Sequence, residues 1–289
     1  MPGIDLHAHT TASDGEHSPE VLVRKAVAIG LEALAVTDHD TTAGVAEAVR
    51  TGTELGIEIV PGIELSAEPP KSLSGARSQC HILGLFIDPA CPDLLERLHA
   101  VIDHRNRRNA LIVERMRSEL GWEITLEEVE RVAGGDVIAR PHFARVMVEK
   151  GYVATVKEAF DIYLGKGGRA YVDRDRLTAD EAIDLIHRAG GVASLAHPNN
   201  LKMSADETED YVRSLQAMGL DSLEARYNLH TPEDTARYLD LAQRLGLATS
   251  GGSDFHGFSV KSTVHLGHVE GSLPAPYSLL APLRAARGR

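Results

Sequence analysis

Gly3-Ile4-Asp5-Leu6-His7-Ala8-His9, with Asp14 just behind it, decides how this chain is read. Ile4 and Leu6 alternate with Asp5 and His7, which predicts a short strand running into a polar loop. Side chains two apart on a strand point to the same side, so His7 and His9 reach one point if the extended conformation persists through His9. Two imidazoles aimed together suit Zn, Mn or Fe. An isolated His-x-His is equally at home in an ordinary polar loop. The rest of the chain decides between the two.

Working outward, Ser18 and Pro19 cap and open a helix to about Ile29, closed by Gly30. Glu32 to Val36 is a buried strand delivering Thr37-Asp38-His39-Asp40, and a helix from about Thr42 to Leu55 stops at Gly56. Ile57 to Val60 is a third strand, delivering Pro61-Gly62-Ile63-Glu64. Strand, polar cluster and helix in repetition is the signature of parallel βα units. Residues 66–80 read as a loop, and His81 to Phe86 as a strand. There the polar residue comes first, so this strand is expected to run against the others.

From about Pro92 to Lys166 the pattern becomes helical, with Leu94, Leu95, Leu98, Val101 and Ile102 at helical spacing and a Thr125–Glu128 capping box. Helical segments over about His142–Glu149 and Val156–Leu164 complete it. The division expected is a barrel from residues 1–91 and 167–289, interrupted by a helical insertion over 92–166. The βα pattern then resumes. Strands end in Ala196-His197-Pro198, in Arg226-Tyr227-Asn228-Leu229-His230 and in Gly251-Gly252-Ser253-Asp254-Phe255-His256, and a closing helix follows Pro274.

Composition narrows the function. A formal net charge of −12 argues against a broad basic surface for duplex nucleic acid, and 4% aromatics argue against a stacking platform for a long single strand. An acidic protein still binds an anion where metals and a few arginines focus positive charge in one cleft. Cys80 and Cys91 lack a Cys-x-x-Cys spacing and read as reduced bystanders. No signal pattern opens the chain and no apolar run approaches a membrane span, so a cytoplasmic location without membrane partner is expected. No obligate protein partner is evident.

His7, His39, Glu64, His197 and Asp254 all fall at or just past strand C-termini, which open on one face of a parallel barrel. The ordered set His7-Ala8-His9 with Asp14, Thr37-Asp38-His39, Gly62-Ile63-Glu64, His81, Ala196-His197-Pro198 and Gly252-Ser253-Asp254-Phe255-His256 resembles the PHP (polymerase and histidinol phosphatase) family of metal-dependent phosphoesterases. The resemblance implies an α/β fold, a distorted (β/α)7 barrel, with a trinuclear metal site at its strand ends. It places His7, His9, Glu64 and Asp254 on a first ion. Glu64 bridges to a second with His81 and His197, and Asp14, His39 and His256 hold a third. Many family members have His at the position of Asp14. An oxygen ligand there favours Mn²⁺ or Mg²⁺ over Zn²⁺, so two or three divalent ions are expected, Mn preferred, with Zn, Fe or Mg as alternatives. Asp38 and Asp40 flank a ligand and are expected to orient imidazole rings.

The segment Ala139-Arg140-Pro141-His142 resembles the small bacterial members acting on nucleoside 3′,5′-bisphosphates. Asp14, His39, Glu64, His197 and Asp254 are then the catalytic set. Arg140, His142 and His230 are candidate substrate contacts, and His230 is also a candidate proton donor to the leaving oxygen. The expected reaction removes the 3′-phosphate of such a small phosphorylated nucleotide to leave a 5′-monophosphate. The alternatives are a 5′-3′ exonuclease on short oligonucleotides, a histidinol-phosphate-type phosphatase, a metal-dependent amidohydrolase and a non-catalytic metal-binding module. His17, His99, His104, His187, His265 and His268 lack a matched motif and read as surface or structural.

Overall fold

The computed structural model describes residues 3–68, 70, 80–133, 138–173, 176–269, 271 and 273–287. Most of the serine- and glycine-rich loop expected before His81 lies outside them. The chain divides into two compact units, Met1–Glu96 with Arg176–Arg289, and Arg97–Asp175.

The first unit is built on an eight-stranded sheet. In chain order its strands are β1 (Gly3–Asp5), β2 (Leu31–Val36), β3 (Glu58–Ala67), β4 (Cys80–Leu85), β5 (Val192–Leu195), β6 (Ser222–Tyr227), β7 (Ala248–Gly252) and the two-residue β8 (Ala275–Pro276). The spatial order is β7-β6-β5-β4-β3-β2-β1-β8. The extended chain beyond β1 closes the sheet into a barrel. The Leu6 N–H donates to the Gly251 carbonyl (3.0 Å), the Asp254 N–H to His7 (2.8 Å) and the His9 N–H to Phe255 (2.9 Å). Neighbours pair in parallel except where β4 runs against β3 and β5, as the polar residue at the head of its sequence implies, and where β8 opposes β1. The result is the distorted α/β barrel expected.

Alternation decides the two faces. On β2, Ala33 and Ala35 join Ile4, Leu6, Val60, Leu85 and Val192 in one buried cluster. Leu34 and Val36 face the other way, into a cluster with Leu22, Val23, Ala26 and Ala48. The last four come from the covering helices α1 (Pro19–Ala28) and α2 (Val45–Leu55). Helix α2 starts three residues later than the sequence suggests and has no side-chain cap.

The second unit has its own core, with Ile112, Met116, Val129, Phe143, Val146, Met147 and Leu164 among its buried residues. Its helices are α3 (Pro92–Leu120), which begins in the first unit, α4 (Leu126–Ala133), α5 (Arg140–Glu149) and the short α6 (Val156–Glu158). The Thr125–Glu128 box caps α4 reciprocally. Where one regular helix is expected over Val156–Leu164, a single α turn passes into a π-helical turn over Ala159–Leu164. The C-terminal half of the barrel adds α7 (Ala179–Arg188), α8 (Ala205–Ala217), α9 (Pro232–Leu245) and the closing α10 (Leu280–Ala286). Capping boxes open α7, α8 and α9, each satisfying helix N–H groups that have no partner inside the helix.

Candidate metal centre

Glu64 is the hub of the site. It lies inside β3 rather than in the loop after it, because β3 runs on to Ala67. That extension is paired on both sides. The Glu64 N–H donates to the Asp38 carbonyl and the Asp40 N–H to the Glu64 carbonyl, which sets His39 beside Glu64. On the other side the antiparallel register pairs Glu64 with Leu83 and Ser66 with His81. His81 is therefore the diagonal neighbour of Glu64 on the same face. The reversed β4 thus delivers from its beginning a residue that a parallel strand would deliver from its end.

Five imidazoles surround this one buried carboxylate. Its Oε2 lies 3.3 Å from His7 Nε2, 3.2 Å from His9 Nε2 and 3.1 Å from His39 Nδ1. Its Oε1 lies 2.8 Å from His81 Nδ1 and 2.9 Å from His197 Nε2. Asp254 Oδ1 completes the first group, 3.6 Å from His7 Nε2 and 3.4 Å from His9 Nε2. Its Oδ2 is engaged by the Tyr227 hydroxyl (3.0 Å) and Lys261 Nζ (2.6 Å), which leaves Oδ1 facing the cluster. His256 donates from Nδ1 to the Asp254 carbonyl (2.9 Å) and presents Nε2 to Asp14 Oδ1 at 3.3 Å. His39 Nε2 stands 4.0 Å from Asp14 Oδ2. The side chains of Asp14 and His39 are 30% and 20% exposed while His7, His9 and Glu64 are closed to solvent, so the cluster opens on the Asp14–His39 side.

Among the described residues three donor groups result, each with its ligand atoms within 4.8 Å of one another: His7, His9, Glu64 and Asp254; His39, Glu64 and His81; and His9, Asp14, His39 and His256. The first brings together the four side chains expected around one ion. His39 joins the second in addition to the third, and His197, expected there with Glu64 and His81, is in none of the three, though its Nε2 faces the same Glu64 oxygen as His81. His7 Nε2, both nitrogens of His9, His39 Nδ1 and Glu64 Oε2 are buried with no hydrogen-bond partner. Orphaned buried polar atoms cost about 1–3 kcal/mol each. Their convergence, all of them imidazole nitrogens and carboxylate oxygens, fits divalent cations.

The electrostatics agree. Burial disfavours charge throughout, yet the Glu224, Glu64 and Asp254 carboxylates raise His7 well above the ordinary histidine range. His9 rises to about 9 against its burial, through Asp254 and Glu64. Burial wins at His39, pushed down to about 3. Glu64, Asp14 and Asp254 are held well below the carboxylate range, because the surrounding imidazoles, and at Asp254 also Lys261, outweigh burial. The backbone is strained where ligands are delivered: Asp40, His197 and Asp254 have φ of 53°, 26° and 56°. Such non-glycine conformations persist only where the surroundings impose them. The barrel also closes very tightly here, since a Cβ on Gly252 would fall 2.2 Å from His7 Cβ.

Some expected roles move. Asp38 braces a loop rather than a ring: it accepts from the Thr10 N–H (2.8 Å), Thr10 hydroxyl (2.7 Å) and Ser13 hydroxyl (2.6 Å), just ahead of Asp14. Asp40 accepts from the Ser66 N–H at 2.9 Å. A further carboxylate, Glu224, lies 3.0 Å from His7 Nδ1, and the sequence reading missed it. Its signal was a charge in the middle of the otherwise apolar run Leu220–Ala225.

None of the three donor groups includes Arg140, His142 or His230. Arg140 starts α5, donates to the Leu164 carbonyl at 3.1 Å and lies over the Tyr171 ring at 5.6 Å. His142 Nδ1 accepts the Ala139 N–H at 3.1 Å. His230 donates from Nδ1 to the Ala225 carbonyl (3.0 Å) between the Tyr227 and Tyr238 rings, and burial lowers its pKa. A neutral imidazole whose N–H is spent on a carbonyl is poorly set to donate a proton. Among the unmatched histidines, His187 pairs with Asp221 at 2.8 Å and His265 stacks on His268.

A barrel that gathers histidines and carboxylates from the ends of its strands is the architecture of metal-dependent hydrolases. The PHP domain model matches residues 5–213, and the chain belongs to that family. It is 38% identical over 256 residues to the 5′-3′ exoribonuclease Rnm of Escherichia coli, covering 87% of this chain and 84% of the relative. It is 34% identical over 264 residues to the 3′,5′-nucleoside bisphosphate phosphatase of Chromobacterium violaceum, covering 89% and 88%. Among solved structures, a candidate metal-dependent phosphoesterase from Bifidobacterium adolescentis superposes with a TM-score of 0.82 at 29% identity, over 100% of this chain and 97% of that one. The chain is a metal-dependent phosphoesterase, a hydrolase. Among the described residues no helix is long and apolar enough to cross a membrane.

Proposed function

We propose that this phosphoesterase cleaves the ester on the 3′ oxygen of a 5′-phosphorylated nucleoside. The smallest substrate is a nucleoside 3′,5′-bisphosphate, and the products are a nucleoside 5′-monophosphate and phosphate. The observation that carries the phosphoester chemistry is the Glu64 hub, with five imidazoles within 2.8–3.3 Å of its carboxylate. Each of the nine expected positions carries a ligand-type side chain, eight of them in the three donor groups, which argues against a non-catalytic module. The substrate reading draws on the Chromobacterium relative. The exoribonuclease reading is favoured by the E. coli relative. The two meet in one bond: an exonuclease that moves 5′ to 3′ and releases 5′-monophosphates also cuts phosphorus from a 3′ oxygen, with a nucleotide where the bisphosphate has only oxygen.

Divalent cations held by these histidines and carboxylates would acidify water and offset charge on the phosphoryl oxygens, with Mn²⁺ favoured by the oxygen ligand Asp14. The protein's own residues do the rest. Tyr227 and Lys261 hold Asp254 by one oxygen. The Nδ1 contacts of His7 and His256 turn their Nε2 atoms inward. Neutral His39 offers a lone pair on the solvent side, where substrate enters. Arg140 and His142 of the helical unit are proposed as phosphate contacts, and the cytoplasm as the compartment.

The test compares adenosine 3′,5′-bisphosphate, adenosine 3′-monophosphate, and 5′-phosphorylated and 5′-hydroxyl oligoribonucleotides, with products separated by chromatography. The 5′-phosphorylated compounds should be preferred, with 5′-monophosphates released, because a remote anionic anchor contributes to transition-state binding. Equal kcat/KM with and without the 5′-phosphate sinks the two-phosphate reading. Strong preference for oligoribonucleotides over the bisphosphate makes the nuclease the primary activity.

A further inference from the structure

We propose that Glu224 is a positioning residue for the metal centre, fixing the tautomer of His7 and the strained backbone of His197 with one carboxylate. Glu224 sits in β6 with no exposure, between Leu223 and Ala225, which are equally buried. A buried carboxylate costs several kcal/mol unless its oxygens are bonded. Here they are divided between two ligands from different strand ends. Oε1 lies 3.0 Å from His7 Nδ1, and Oε2 accepts the His197 N–H at 2.6 Å.

Each contact has a consequence at the cluster. A carboxylate facing Nδ1 keeps the proton of a ligating imidazole on that nitrogen, so the lone pair sits on Nε2. Nε2 is the His7 atom that points at Glu64 Oε2 and Asp254 Oδ1, and it is one of the orphaned buried atoms. At His197 the charge-assisted bond anchors a residue at φ 26°, ψ 64°, a conformation that costs roughly 1–3 kcal/mol without such support. With its backbone held, His197 Nε2 comes to 2.9 Å from Glu64 Oε1. Strand β6 thus supplies no ligand from this position, yet it governs one ligand beyond β1 and another beyond β5.

Glu224→Gln separates the electrostatic role from packing, because it keeps the shape and offers only one accepting oxygen. Either the amide NH₂ meets His7 Nδ1, forcing the proton onto Nε2, or the His197 N–H loses its acceptor. The inference rests on the metal reading above, so the experiment begins with Zn²⁺ titration of the unsubstituted protein. Uptake of no ion there overturns the metal reading itself. With uptake established, long-range ¹H–¹⁵N spectra of the Zn²⁺-loaded protein should show His7 protonated at Nδ1 and coordinating through Nε2. Glu224→Gln should bind the ion of the His7 group about 10–100-fold more weakly, with the His7 ring signals changed. The Asp14–His39–His256 group should keep its ion, and circular dichroism in chelator should show the variant folded. An unprotonated His7 Nδ1 in the unsubstituted protein overturns the proposal, and that measurement stands even where the variant fails to fold. Unchanged Zn²⁺ affinity in a folded Glu224→Gln overturns it as well.

Discussion

Metal binding by this protein should expel protons near neutral pH and tighten as the pH rises, because the cluster treats its groups unequally. His9 is raised to about 9, and His7 is raised well above its ordinary value. At pH 7 an imidazole with a pKa of about 9 is roughly 99% protonated. His9 must lose that proton before its Nε2 can ligate. His39, held down to about 3, has no proton to lose, and Glu64, Asp14 and Asp254 are already carboxylates. The sign follows: raising the pH from 7 to 9 takes His9 from almost fully to half protonated and should strengthen binding in the His7–His9 group. His9 alone contributes about fiftyfold, or about 2.3 kcal/mol. Titration calorimetry with Zn²⁺ at pH 7, in buffers of different ionisation enthalpy, reads the released protons directly. No proton release, or an affinity that does not rise between pH 7 and 9, refutes the argument that His9 carries a proton the cation must displace.

Three further outcomes test the assignments. Glu64→Ala should lose bound metal and phosphoesterase activity together, since it removes the oxygen pair that two donor groups share; elemental analysis showing a full complement of ions in the variant refutes its place as the hub. Gly252→Ala should destabilise the protein by roughly 1–3 kcal/mol and weaken metal binding, because the new Cβ would fall 2.2 Å from His7 Cβ; thermal melts and metal analysis check both. Arg140→Ala should lower kcat/KM on the nucleotide substrate at least about tenfold, about 1.4 kcal/mol, while metal content stays intact. Unchanged kinetics would assign Arg140 a structural role, with the Leu164 carbonyl and the Tyr171 ring among its partners.

What the sequence made legible was what is written locally. The strand-cluster-helix repetition needs only short-range periodicity, and it leads directly to the barrel. Even the reversal of β4 is visible, because His81 precedes its apolar run instead of following it. The polar residues at strand ends could be named as ligand candidates for the same reason, since a parallel barrel brings those ends to one face. The length of β3 was not legible: the segment Gly62–Ala67 continues as strand only because β2's extension and β4 supply partners on its two sides. The boundary between the two units carries no punctuation either, because α3 crosses it as one continuous helix from Pro92 to Leu120.

The harder omissions lie around the ligands, and they share a cause. His7 and His256 announce themselves by spacing, but what turns each ring is a partner chosen by the closed barrel: Glu224, distant in sequence, for one, and the Asp254 carbonyl for the other. Tyr227 and Lys261 reach the far oxygen of Asp254 from a strand and from a loop without periodicity. Asp38 looks like a ring-orienting carboxylate because it adjoins His39, yet neighbours along an extended chain point to opposite sides. It turns to Thr10 and Ser13 instead. Sequence adjacency therefore identifies the atoms that can bind a cation, while the contacts that aim them come from tertiary closure. A charged residue inside an apolar strand is the one mark such a contact leaves in the sequence. Glu224 bears that mark, and in a barrel whose strand ends hold a metal centre it points inward to a ligand.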